Sequence, residues 1–88
     1  MRRYRVEIKR SAAKELEALD ARARGLVAAA IDGLAEDPLP AGCQPIKGAA
    51  GCYRIRVGDY RVVYELQSDV LVVLVIRIGH RRDVYRDR

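Results

Sequence analysis

The sequence lacks many of the residues from which catalytic and metal sites are often built. It has no Trp or Phe, a single His and only two Cys. Cys43 and Cys52 are too few for a disulfide framework, and their spacing matches no common zinc pattern. The sequence therefore predicts no metal site and no cofactor. With Trp and Phe absent, the core has to be built from aliphatic residues and some of the five Tyr.

A long apolar segment is also missing. The longest apolar run, residues 70–76, is too short to span a bilayer. The first residues of the chain carry no apolar stretch of the signal-peptide type. We therefore expect a cytoplasmic protein with no membrane partner. A length of 88 residues suits one compact domain, residues 1–88.

The charge of the chain is positive, with a formal net value of +5 that comes mostly from Arg. A small basic domain is a candidate for binding RNA or DNA, because both present rows of phosphates. Charge of this size also keeps a small protein soluble without any such partner. Composition leaves both interpretations open, so the placement of the Arg residues has to decide between them.

Hydrophobic periodicity predicts one strand and two helices in the first half of the chain. Residues 4–9 alternate as a half-buried strand does. Ser11 stands where a helix N-cap is expected, and Asp20 either ends this helix or caps the next one. The second helix has an apolar stripe over residues 26–34 and should stop near Asp37, because two Pro follow.

The second half of the chain predicts strands. Residues 37–51 are rich in Pro and Gly and predict a loop. Residues 53–57 and 60–66 then alternate around a tight turn at Gly58–Asp59, with their Tyr on the core side. Residues 70–78 are apolar except for Arg77, as in a central strand. The fold predicted is a single α+β domain, β-α-α-β-β-β, with a mostly antiparallel sheet and a helical hairpin on one face.

The uncovered face of this sheet is the predicted ligand surface. Arg54 and Arg56 leave the same face of one strand, and the two-residue turn brings Arg61 beside them. We expect the segment after the last strand to run along the same region and to add four further side chains: His80, Arg81, Arg82 and Tyr85. Clustered guanidinium groups suit phosphate oxygens. The alternative is a solvated strand face, which is common for isolated Arg.

Two segments resemble the signature of the RelE family of type II toxin–antitoxin systems. They are residues 52–64, CYRIRVGDYRVVY, and residues 75–85, VIRIGHRRDVY. The opening strand and both helices fit as well, so the resemblance covers almost the whole chain. It implies a RelE-like fold and a toxin that binds the ribosome and cleaves mRNA in the A site by attack of a 2′-hydroxyl on the adjacent phosphate. It also implies a separate antitoxin protein as partner.

The resemblance further implies roles for single residues. Arg61 matches a phosphate-binding Arg, and Arg81 matches an Arg that stabilises the transition state or assists the leaving group. Tyr85 matches a Tyr that stacks on the substrate base or helps to orient it. Arg54 and Arg56 stand where the family often has Lys. Because Arg remains protonated in proteins, these two can bind phosphate but are poor general bases.

The remaining candidates each keep two interpretations. His80 is the best proton acceptor by its chemistry, but it could instead be a surface residue that only touches phosphate. Tyr85 could pack on the sheet as an anchor. Arg77 and Arg82 either contact RNA or are plain surface charges. For the whole chain, the alternatives to a ribonuclease are a ParE-like poison of DNA gyrase and an inactive family member that binds only its antitoxin.

Overall fold

Seven helices and strands make up the fold in the computed structural model, which describes residues 3–80. The sheet has five strands in the order β1-β5-β4-β3-β2. β1 runs parallel to β5, and the other neighbours are antiparallel. The predicted α+β class and the predicted meander are therefore confirmed. The elements are β1 (Arg5–Ile8), α1 (Arg10–Glu17), α2 (Ala21–Gly33), β2 (Gln44–Pro45), β3 (Cys52–Val57), β4 (Tyr60–Gln67) and β5 (Val72–His80).

Both helices pack on one face of the sheet, as predicted from their single apolar stripes. Ala12 of α1 and Val27 and Ile31 of α2 share one buried cluster with the inward-facing residues of β3, β4 and β5. Tyr64 is fully buried in this cluster, and Tyr53 and Tyr60 pack against it, as expected for the core side. We call this side the helix face and the opposite side the open face.

The observed helices differ from the predicted ones at the start of α1 and at the end of α2. α1 begins one residue before Ser11, with Lys9 at the N-cap and no capping side chain, so the N-cap prediction for Ser11 is wrong. Asp20 is the N-cap of α2, where its Oδ1 accepts a hydrogen bond of 2.9 Å from the Ala23 N–H. α2 ends at Gly33 and not near Asp37, because the backbone tightens into i→i+3 bonds after Ile31.

The segment 37–51, predicted as a loop, contains the two-residue strand β2. Gln44 pairs with Arg54 and Pro45 pairs with Tyr53. Pro45 is tolerated because β2 lies at the edge of the sheet, where one N–H faces away from the ladder. The segment is anchored to the core by the Tyr64 hydroxyl, which donates a 2.7 Å hydrogen bond to the Pro38 carbonyl.

The turn between β3 and β4 has two residues, as predicted. Gly58 takes a φ of 61°, which suits the first central position of a type II′ turn and which other residues rarely adopt. This turn fixes the register of the two strands, so that Val57 lies opposite Tyr60. Within residues 3–80, no helix has the length and apolar character that crossing a membrane requires.

Candidate nucleic-acid interface

Strand register brings three Arg side chains together on the open face. Arg56 of β3 is the direct partner of Arg61 of β4, and Arg54 is two residues from Arg56 on the same strand. Directly opposite residues point to the same face and have Cβ atoms about 5 Å apart. The sequence prediction for these three Arg is therefore confirmed as far as their grouping is concerned.

A groove of about 260 Å³ opens between these side chains and the β2 segment. We call it the basic groove. It is lined by Gly42, Gln44, Arg54, Arg56 and Arg61. Arg54 and Arg61 are half-buried, whereas Arg56 is exposed. The groove is thus a concave surface with guanidinium groups from two strands on its walls.

The guanidinium groups of the basic groove are held mainly by neutral acceptors. Arg54 Nη2 donates to Gln44 Oε1 at 2.7 Å. Arg56 Nε donates to the Gly58 carbonyl at 3.3 Å, and Arg61 Nη1 donates to the Tyr60 carbonyl at 3.4 Å. Among residues 3–80, neither Arg56 nor Arg61 forms an ion pair. Two like charges placed directly opposite each other destabilise a sheet, and a bound anion would relieve that repulsion.

Gln44 and Gly42 were not predicted from the sequence as part of the site. Both belong to the segment 37–51, and Gln44 enters the groove only because β2 pairs with β3. An apolar depression of about 500 Å³ lies beside the groove, between α2 and this segment, and shares Gly42 and Arg56 with it. No local sequence signal marks these residues, because their position depends on a long-range pairing.

The prediction that His80 lies on the open face is wrong. His80 is opposite Tyr60, and Ile78 is opposite the buried Val62, so His80 belongs to the helix face. The cause is a bulge at Ile76, where the register shifts between Val63 and Tyr64. One extra residue in β5 exchanges the two faces for all residues that follow it. The His80 ring meets the Tyr60 ring edge to face, with centroids 5.8 Å apart.

Arg77 is also separated from the basic groove. The bulge places it opposite Val63 on the open face. Its Nε, however, lies 3.8 Å from Glu15 Oε2 of α1, at the edge of the sheet. Arg77 and His80 line a second groove, between α1 and the end of β5. The structure therefore does not bring Arg77 together with Arg54, Arg56 and Arg61.

Three predicted site residues, Arg81, Arg82 and Tyr85, lie outside the described residues, and the predictions for them stay predictions. Within residues 3–80, no three His, Cys, Asp or Glu side chains stand close enough to share a metal ion. Cys52 is not an activated nucleophile, because burial and then the charge of Glu65 raise the pKa of its thiol. What the described residues offer chemically is a fixed set of cationic hydrogen-bond donors.

Comparison with known proteins agrees with this fold. The family model of the ParE toxin of the type II toxin–antitoxin system parDE matches residues 6–85. Toxin RelG of Mycobacterium tuberculosis is 31% identical over 84 residues, which cover 94% of this chain and 97% of that protein.

Two solved complexes have the same fold. The toxin–antitoxin complex RelBE2 of M. tuberculosis contains a chain with a TM-score of 0.80 and 29% identity, covering 92% of this chain and 94% of that one. The archaeal RelE–RelB complex of Pyrococcus horikoshii OT3 gives 0.79 and 28%, with coverage of 89% and 94%. The chain therefore belongs to the ParE toxin family of type II toxin–antitoxin systems, within the RelE/ParE superfamily.

Proposed function

We propose that this toxin is an endoribonuclease that cleaves mRNA in the ribosomal A site and thereby inhibits translation. The observation that supports this proposal most directly is the opposed pair Arg56 and Arg61 in the basic groove, neither of which has an ion pair among residues 3–80. One phosphate can accept hydrogen bonds from both guanidinium groups and offset their repulsion. The RelG and RelE relatives support the RelE-like branch of the superfamily.

In the proposed reaction, a 2′-oxygen forms a bond to the adjacent phosphorus while the bond from phosphorus to the next 5′-oxygen breaks. The 2′-hydroxyl gives up a proton and the leaving 5′-oxygen takes one, so the products are a cyclic phosphate and a 5′-hydroxyl. Negative charge builds up on the phosphate oxygens during this exchange. Arg54, Arg56 and Arg61 would stabilise it with donors that are already in place.

The Arg side chains of the basic groove are not proposed to transfer protons. Its Arg side chains remain protonated and cannot accept the proton of the 2′-hydroxyl. His80 lies on the helix face, beside Tyr60. We therefore propose charge stabilisation as the role of the described groove, with Arg81 assisting the leaving group and Tyr85 stacking on a base, as the family resemblance implies.

We also propose a cognate antitoxin as the protein partner. The M. tuberculosis and P. horikoshii relatives were solved as toxin–antitoxin complexes. An acidic partner would complement the net charge of +5 on this chain. Co-expression with the neighbouring open reading frame, followed by purification of a stable complex, tests this part of the proposal.

The test of the ribonuclease is a cleavage assay on ribosomes that carry a defined mRNA. Wild-type protein should cut the mRNA, and Arg61→Ala should slow cleavage by about 10²- to 10³-fold, the usual loss for a donor that stabilises transition-state charge. Arg22→Ala is the matched control, because it removes one positive charge from the exposed surface of α2. Wild-type rates for Arg61→Ala would remove Arg61 from the reaction.

His80→Gln tests the assignment of His80 to the helix face. If His80 takes no part in proton transfer, this variant should cleave at a rate close to that of the wild type. A loss as large as that of Arg61→Ala would show that His80 reaches the scissile site. His80 would then be the residue that accepts the proton of the 2′-hydroxyl.

A second candidate function is poisoning of DNA gyrase, favoured by the match to the ParE family model. The same preparation can be tested for inhibition of supercoiling by purified gyrase. Inhibition without mRNA cleavage would establish this function in place of the first. Failure of both assays with folded protein would indicate a family member that only binds its antitoxin.

A further inference from the structure

α1 lies along a part of β5 that has no neighbouring strand on that side. β1 ends at Ile8, opposite Val75, and the Lys9 N–H donates to the Val75 carbonyl as the chain leaves the sheet. β5 continues to His80. Its backbone beyond Val75 therefore needs another partner on the β1 side, because a half-buried N–H left without an acceptor is costly.

Glu15 of α1 supplies that partner. Its Oε1 accepts a 2.7 Å hydrogen bond from the Ile78 N–H, across 63 positions of the sequence. Its Oε2 lies 3.8 Å from Arg77 Nε. One carboxylate thus contacts the backbone of β5 and the side chain of the preceding residue. Both side chains are only about one-third exposed, at 36% for Glu15 and 28% for Arg77.

The contact lies on the β1 side of β5, one strand away from β4, which carries Arg61 of the basic groove. Ile78 is opposite Val62 and Gly79 is opposite Arg61, so Glu15 holds the stretch of β5 that supports Arg61 on β4. The same stretch follows the bulge at Ile76, where the β4–β5 ladder is irregular. Glu15 also lies within ion-pair distance of Arg77, which does not line the groove.

We infer that Glu15 is a positioning residue for RNA cleavage, which fixes the end of β5 against β4 and thereby sets the position of Arg61. This inference rests on the proposed ribonuclease function. Glu15 does not contact the phosphate; it acts through the backbone of Ile78. A displacement of about 1 Å in a reacting geometry can lower a rate by about 100-fold, so the expected effect is on the cleavage step.

Three variants separate the two contacts of Glu15. Glu15→Ala removes both of them. Glu15→Gln keeps an amide oxygen for the Ile78 N–H but loses the charge near Arg77. Glu15→Asp keeps the charge but withdraws the carboxylate by one bond, about 1.5 Å. Glu17→Ala is the matched control, because it removes an exposed carboxylate from the same helix.

The experiment is single-turnover cleavage on ribosomes carrying a defined mRNA, with amide hydrogen exchange measured on the free toxin. Glu15→Ala should lower the maximal cleavage rate by about 10- to 100-fold while ribosome binding stays close to that of the wild type. Exchange at Ile78 should become faster. Glu15→Gln should restore slow exchange and most of the rate, and Glu17→Ala should behave as the wild type.

The outcomes separate this inference from the proposed function. Wild-type cleavage together with an unchanged rate in Glu15→Ala would overturn the positioning role alone. No cleavage by the wild type would overturn the ribonuclease, and the positioning role with it. If Glu15→Ala does not fold, Glu15→Asp takes its place. A folded Glu15→Asp protein with a wild-type rate would likewise overturn the role.

Discussion

Tyr64→Phe tests how the core holds the segment that forms one wall of the basic groove. The Tyr64 ring is fully buried, and its hydroxyl donates a 2.7 Å hydrogen bond to the Pro38 carbonyl. The substitution keeps the ring and removes one oxygen. A hydrogen bond of this kind contributes about 1 kcal/mol to the free energy of unfolding, and an acceptor left without its donor adds up to about as much again.

The expected loss is therefore about 1–2 kcal/mol, which for a domain of this size lowers the Tm by roughly 5–15 °C. Thermal and urea denaturation measure it, and the urea m-value should not change, because the surface exposed on unfolding is the same. Tyr53→Phe is the matched control, since its ring packs on Tyr64 with centroids 6.0 Å apart but does not contact Pro38 through a hydrogen bond.

The effect of Tyr64→Phe on stability should also depend on pH. Burial, and then the neighbouring Cys43, raise the pKa of Tyr64 above its ordinary value. The folded state therefore keeps this proton at a pH at which the unfolded chain, with a pKa of about 10, has lost it. Above about pH 10 the unfolded state binds fewer protons, so wild-type stability falls by up to about 1.4 kcal/mol per pH unit from this group. Tyr64→Phe lacks that contribution.

The difference in stability between wild type and Tyr64→Phe should consequently shrink as the pH rises from about 9 to about 11, whereas the difference between wild type and Tyr53→Phe should not follow the same course. Two results would refute the reasoning. One is a Tyr64→Phe protein as stable as the wild type at neutral pH. The other is a difference that stays constant across the alkaline range.

Three smaller predictions concern α2 and the groove. Asp20→Ala should lower the free energy of unfolding by about 1 kcal/mol through loss of the N-cap, whereas Ser11→Ala should change it by less than about 0.5 kcal/mol; equal losses in urea denaturation would contradict the capping assignment. Gly25→Ala should raise the free energy of unfolding by about 0.5–1 kcal/mol, because Gly25 is exposed inside α2 and an added Cβ meets no atom within 4 Å. A lower Tm for this variant would contradict the prediction. Gln44→Ala removes an acceptor that holds Arg54 and should weaken binding of a short RNA about two- to tenfold in a titration, and unchanged affinity would leave Gln44 outside the site.

The part of the site that the sequence predicted depends on local rules. Alternation over residues 53–57 and 60–66 and the two-residue turn at Gly58 determine that Arg56 lies opposite Arg61. A turn of this kind fixes the register of the strands it joins, so the grouping of the three Arg follows from nearest neighbours. The same is true of Asp20, whose position just before an apolar helical stripe is typical of an N-cap.

The part that the sequence did not predict depends on a single extra residue. Residues 70–76 are continuously apolar, so no alternation shows which way each side chain points. The bulge at Ile76 then exchanges the two faces and sends His80 to the helix side. β2 was not predicted for a different reason. Its two residues are too few to show a periodicity, and they pair with β3 only after the loop has closed.

The parallel pairing of β1 with β5 has a consequence for folding during synthesis of the protein. Arg5 pairs with Val72, and Ile8 pairs with Val75, so β1 cannot pair within the sheet until β5 has been synthesised. Contacts so distant in sequence form late and slow the folding of a domain. Until β5 has left the ribosome, the nascent chain cannot complete the sheet. A cell that makes such a toxin is therefore exposed to the finished fold only after translation has delivered β5.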